Sequence, residues 1–319
     1  MRDKFAGALL GCAVGDALGA PFEFMKGAQI KAVENLVEHY HPFAKCPLGQ
    51  YTDDTQLTLA LAETYIANRG FKGFDFARRL AEMWAKDEVI GEGMSCAKGV
   101  KNFSGGARWQ DSGDIEGKAG NGTAMRASPV GLWNYDNLEQ MKKDSLAHSS
   151  ITHKDARAKA GAAAVAYAVA YNIAHEKLDV EELVQGASEF IRDINEEFSS
   201  YLLQLPEWLG KEEQIALIGI SCAGWLKPAR WIDQITPFVI PSVLVAFYNF
   251  FRSPEDFILT VKRTLQAGGD VDTIAAIAGA ISGAYNGATG IPRPLLDDLY
   301  NRDLIWSTAL RLHSAKHPG

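Results

Sequence analysis

Helical signals follow one another along most of this chain, and the strict alternation of a half-buried strand is scarce. A chain patterned in this way can bury its apolar faces only helix against helix. The expected fold is therefore all-α, an irregular orthogonal bundle of roughly a dozen helices. Nothing in the composition marks a boundary, so residues 1–319 are read as one domain. Helices are expected over residues 3–18, 52–70, 75–87, 155–176, 180–194, 211–225, 241–251, 254–267, 270–285 and 295–313. Asp3 reads as the cap of the first, and Gly70 and Asn286-Gly287 as stops. Small residues dominate 155–176, which implies close helix contact. The aromatic residues between Trp225 and Phe251 read as core. Residues 91–129 are the exception. They are rich in Gly, Ser, Asp and Asn and read as a long loop, a feature that in compact domains usually carries function.

Hydrophobic residues make up 47% and charged residues 22%, the usage of an ordinary globular protein. The net charge of −7 argues against a non-specific nucleic-acid or membrane-surface partner. The apolar runs at 161–171 and 238–251 are too short to span a bilayer. The N-terminal stretch has the positive charges and apolar run of a signal peptide, but Asp3 and Asp16 interrupt it, and a buried helix is the better reading. Cys12, Cys46, Cys96 and Cys222 form no Cys-x-x-Cys pair. That argues against zinc and suits a reducing, cytoplasmic setting.

Two segments more than 200 residues apart look alike: Thr52-Asp53-Asp54-Thr55 and Asp270-Val271-Asp272-Thr273. Each opens a strong helix pattern and puts two carboxylates and a hydroxyl within one turn. Either alone is explained by capping and the helix dipole. If the two meet, four carboxylates converge and repel one another unless cations bind. All-oxygen ligands select hard metals, so two Mg²⁺ or Mn²⁺ ions about 3.5–4 Å apart are expected. Glu23, an acid between two phenylalanines, lies either on the surface or in a cleft. Asp16, inside an apolar pattern, is expected to make a buried hydrogen bond to a helix terminus. Gly120-Asn121-Gly122 is a turn whose amides could cradle phosphate. His153 stands just before a helix start, where it is either structural or an anion contact.

Taken in order, Gly7-Ala8-Leu9-Leu10-Gly11 with Gly15-Asp16-Ala17-Leu18-Gly19, then Thr52-Asp53-Asp54-Thr55, Gly120-Asn121-Gly122 with Met125-Arg126, Thr152-His153 and Gly268-Gly269-Asp270-Val271-Asp272-Thr273 resemble the ADP-ribosylglycohydrolase family, in its dinitrogenase reductase-activating type. The resemblance implies an all-α fold with a dinuclear magnesium or manganese site held by Thr52, Asp53, Asp54, Asp270, Asp272 and Thr273. It implies catalytic roles for Glu23, Asp53 and Asp272, and substrate contacts from Gly93, Lys118, Gly120, Asn121, Gly122 and His153. Lys118-Ala119 departs from the serine and aromatic residue of some members, and residues 105–118 are the candidate for setting target choice. The implied reaction is metal-dependent removal of ADP-ribose from a modified target. Analogy over residues 51–63 favours arginine on protein, with ADP-ribosylserine, modified nucleic acid and small ADP-ribose derivatives as alternatives. A monomer with no membrane partner is expected. Two other readings stay open: a non-catalytic, crystallin-like or ADP-ribose-binding protein, and a dinuclear phosphatase or pyrophosphohydrolase.

Overall fold

The computed structural model describes residues 1–225 and 234–318. Seventeen α-helices run through them, with two strands of two residues each, so the fold is all-α as expected, with more and shorter helices than a dozen. One apolar cluster, reaching from Phe5 to Leu312, holds the helices together.

Helix Arg2–Gly19 and helix Val271–Asn286 form the central pair. Glycines at every fourth position of the first helix let the backbones touch. A Cβ at Gly7 would stand 2.2 Å from Gly283 O, at Gly11 2.2 Å from Gly279 O, at Gly15 2.0 Å from Ala275 O, and at Gly19 2.4 Å from the Asp272 Cα. The pairing is antiparallel, so the C-terminal end of the first helix is carried onto the N-terminal end of the second. Asp16 and the Asp270 segment are thereby brought to one end of the pair. By length and apolar content the first helix could cross a bilayer, but it is buried among the other helices. Helix Asp53–Asn68 packs beside it and directs its own N-terminus to the same end. The strands Met25–Lys26 and Gly268–Gly269 pair antiparallel, with Met25 opposite Gly269, and fasten the Glu23 loop beside Asp270.

Several local expectations are corrected. Met1, not Asp3, occupies the cap position of the first helix; Asp3 instead accepts the Thr289 hydroxyl at 2.8 Å. Gly70 does stand just past the end of helix Asp53–Asn68, donating to Tyr65 O at 3.2 Å, but the left-handed cap is Arg69 (φ 51°). The stretch 91–129 is not one loop: it contains helix Met94–Ser104, whose apolar face, Cys96, Gly99 and Val100, is buried. The helix expected over 295–313 is two, Arg293–Asp298 and Arg302–Lys316, because Asn301 turns left-handed (φ 53°) between them. Of the aromatic group read as core, Phe247 and Phe250 are fully buried but Trp225 is 41% exposed. Trp231 lies outside the described residues.

Candidate active site

The first acidic segment is anchored from another helix. Thr52 holds the cap position of helix Asp53–Asn68 but makes no capping bond with its own side chain. Asp16 makes it instead. Its Oδ2 accepts from the Thr55 amide at 3.0 Å and the Thr55 hydroxyl at 2.6 Å, and its Oδ1 from the Thr52 amide and hydroxyl, each at 2.9 Å. The expectation that Asp16 serves a helix terminus therefore holds. With the first turn held in this way, Asp53 and Asp54 are directed at the second segment. Thr273 donates to Asp54 Oδ2 at 3.3 Å, and the Thr52 hydroxyl oxygen stands 3.1 Å from the same oxygen. Asp54 Oδ1 is buried without any hydrogen-bond partner.

In the second segment, Asp272 Oδ1 accepts the Thr273 amide at 2.8 Å, and Asp270 Oδ2 accepts Asn121 Nδ2 at 2.6 Å. Glu23 joins them: one carboxylate oxygen each from Glu23, Asp270 and Asp272 lies within 4.8 Å of the others. Phe24 makes this approach possible by taking a left-handed conformation (φ 61°), with its amide on Gly269 O at 2.6 Å. Burial, then repulsion from the neighbouring acids, holds Asp54 and Asp272 well above the ordinary carboxylate range. Asp53 is raised as well, chiefly by burial. Glu23, half-buried, is pushed up to about 7 by burial and by Asp270 and Asp16. A buried, partnerless carboxylate oxygen amid mutually repelling acids is what a bound cation would relieve. The donors are all oxygen, which suits Mg²⁺ or Mn²⁺.

The glycine turn forms the opposite wall. A Cβ on Gly122 would stand 2.8 Å from Cys96 Sγ, and one on Gly120 3.1 Å from His153 Nε2, so only glycine fits at either position without displacing these side chains. Arg126, fully buried, ties the turn down. Its guanidinium donates to Gly122 O at 2.7 Å, Thr152 Oγ1 at 2.7 Å and His148 O at 3.1 Å, and lies over the Phe76 ring. His153 shares a 2.9 Å hydrogen bond with Thr152 through Nδ1, and burial beside Arg126 pushes its pKa down to about 3, so the ring is neutral.

The resulting cleft, about 310 Å³, is lined by Glu23, Asp53, Asp54, Gly93, Gly120, Asn121, Gly122, His153, Asp270, Asp272 and Thr273 among others. Three of the residues read from sequence sit differently. Lys118 is exposed and does not line the cleft. Thr52 lies beneath it, with its hydroxyl engaged by Asp16 and Asp54. The Asn121 amide is committed to Asp270 and Ser242, so it orients an acid. Sequence reasoning assigned no role to Arg126, Glu92, Met94 or Cys96. A lone arginine after a glycine turn is a weak sign of a clamp, and nothing local marks the other three. A larger cavity of about 570 Å³ lies near Lys26, Lys31, Glu212 and Glu213, and none of the paired acids reaches it.

An all-α scaffold that draws two acid-bearing helix starts into one cleft defines the class. The sequence model of the ADP-ribosylglycohydrolase family matches residues 1–318, and the chain belongs to that family of hydrolases. It is similar to the ADP-ribosylarginine hydrolase Tri1 of Serratia proteamaculans, with 26% identity over 97% of this chain and 79% of that one. It is also similar to the ADP-ribosyl-[dinitrogen reductase] glycohydrolase of Rhodospirillum rubrum, with 26% identity over 94% and 91%. A solved structure titled as an ADP-ribosylglycohydrolase-related protein complex shares the fold, with a TM-score of 0.76 at 24% identity over 99% of this chain and 98% of that one.

Proposed function

We propose that this protein is a single-domain, monomeric, metal-dependent hydrolase of the cytoplasm that releases ADP-ribose from a modified target, with ADP-ribosylated arginine on protein as the leading substrate. The observation that carries the reading is the convergence of Asp53, Asp54, Asp270, Asp272 and Glu23 on one cleft, with the buried Asp54 Oδ1 left without a partner. The similarity to a relative named for ADP-ribosylarginine supports the choice of linkage.

Asp53, Asp54, Asp270, Asp272 and Thr273 would hold two Mg²⁺ or Mn²⁺ ions, with Thr52 beneath them beside Asp54; the ions would supply positive charge to orient the ribose diol and offset charge on the attacking oxygen. The chain's own groups do the rest. The Gly120–Asn121–Gly122 turn and Gly93 form close backbone walls for the ribose and pyrophosphate. Neutral His153 offers a hydrogen bond without adding charge. Asn121 and Arg126 keep Asp270 and the glycine turn in register. Glu23 faces the reacting ribose, where its carboxylate orients a water and takes or returns its proton as the glycosidic bond breaks. Asp53 and Asp272 face the substrate.

The test is release of free ADP-ribose from ADP-ribosylarginine and ADP-ribosylserine peptides with Mg²⁺, with Mn²⁺ and with EDTA, scored beside phosphate release. Metal-dependent release of ADP-ribose is expected, and release of phosphate alone would indicate a different hydrolase. Asp272→Asn is expected to abolish turnover with the helical circular-dichroism signal retained; full activity in that variant rejects the metal assignment.

A further inference from the structure

Among the described residues, Glu92 is the one carboxylate lining the cleft that belongs to neither acidic helix start nor the Glu23 loop. Its position is built rather than incidental. The chain is tied to Asp53 before and after it: Ile90 O accepts the Asp53 amide at 2.7 Å, and the Gly93 amide reaches Asp53 Oδ2 at 3.3 Å. Gly91 between them is left-handed (φ 77°), which a side chain would strain, and the turn it makes presents Glu92 at the mouth. The Trp84 indole N–H donates to Glu92 Oε2 at 2.5 Å. Among the described residues no donor reaches Oε1, and the residue is exposed.

Two exposed apolar side chains line the same mouth, Phe24 at 60% exposure and Met94 at 90%. No lysine or arginine among the described residues lines the cleft. Among the described residues six carboxylates line it, more than the charge of two divalent ions offsets, so these residues present a negative field to the leaving group. An aromatic face, a flexible thioether and an oriented carboxylate complement a planar cation on an aliphatic stem. A neutral hydroxyl side chain would leave all three unused.

We propose that Glu92 is the specificity-determining residue for the leaving group, receiving the guanidinium of the target arginine while Phe24 and Met94 flank its stem. This rests on the hydrolase reading above and names how that site selects its linkage. Glu92 takes no part in breaking the bond. Trp84 is its positioning residue.

The experiment compares wild type, Glu92→Gln, Glu92→Asp and Trp84→Phe on an ADP-ribosylarginine peptide with Mg²⁺ or Mn²⁺ present, and measures free ADP-ribose binding by calorimetry. In Glu92→Gln, KM is expected to rise about tenfold, the loss of one charge-assisted hydrogen bond, with kcat little changed. Glu92→Asp recovers part of the loss and Trp84→Phe shows a smaller rise of the same kind. Unchanged KM in Glu92→Gln overturns the proposal. So does an equal weakening of free ADP-ribose binding, because Glu92 would then serve the ADP-ribose end. A wild type that releases ADP-ribose from a serine peptide but not from the arginine peptide overturns the Glu92 role and leaves the hydrolase standing. Release from neither overturns the Glu92 role together with the reading of a protein substrate.

Discussion

The Thr55 hydroxyl donates to Asp16 Oδ2 across 2.6 Å, so a carboxylate on one helix performs the capping that another helix cannot do for itself. Asp16 accepts from two amides and two hydroxyls, all buried. Asp16→Ala leaves those donors unsatisfied and is expected to cost about 3 kcal/mol or more. It should also loosen the turn that carries Asp53 and Asp54. Urea denaturation measures the first effect and Mn²⁺ titration followed by electron paramagnetic resonance the second. A stability loss below about 1 kcal/mol, on the scale of a single ordinary cap, would show that this junction is not a keystone.

The helix pair that delivers Asp16 to the site depends on the absence of a side chain at Gly15. A Cβ there would stand 2.0 Å from Ala275 O, a backbone atom that cannot turn aside. Gly15→Ala should therefore destabilise by about 1–3 kcal/mol despite alanine's better helix propensity. Gly210→Ala is the control: its Cβ would meet nothing closer than 3.5 Å. Thermal melts of the two variants should diverge, and equal melting temperatures would contradict the close approach.

His148 is fully buried, and neither ring nitrogen has a partner. Burial, then Arg126 and His153, holds its pKa well below the ordinary 6.5. Below that pH the unfolded chain takes up a proton that the folded ring refuses, so stability falls as pH drops; above it both states are neutral and the contribution vanishes. The acids of the cleft are raised and act in the opposite direction, so the quantity to follow is the difference between wild type and His148→Leu. That difference should shift against wild type by at most about 1.4 kcal/mol per pH unit below pH 6.5 and stay flat above it. A flat difference throughout would mean that the ring finds a partner or a route to water.

The all-α class and the two acidic helix starts could be read from sequence because helix period, caps and first-turn acids are local features, set by residues within a few positions of one another. Thr52-Asp53-Asp54-Thr55 and Asp270-Val271-Asp272-Thr273 needed only the assumption that they meet. Local reading failed where a contact from elsewhere decided the outcome. The apolar face of Met94–Ser104 folds as a helix inside a glycine-rich stretch because it is buried against the rest of the protein. Asn301 divides the last expected helix by turning left-handed.

By itself the sequence determined the kind of chemistry available here: carboxylates, hydroxyls and glycines, in an order that matches the family. Only the tertiary structure decided what each does. Lys118, electrostatically apt for a pyrophosphate, stands outside the cleft, and Asn121, read as a substrate contact, lines the cleft with its Nδ2 donating to Asp270. Arg126 is buried as a clamp, and Glu92 reaches the mouth because Asp53 holds the chain on both sides of it. Each of these depends on which helices lie against which. That is settled by glycine-lined backbone contact between residues more than 250 positions apart, a distance at which no local propensity acts.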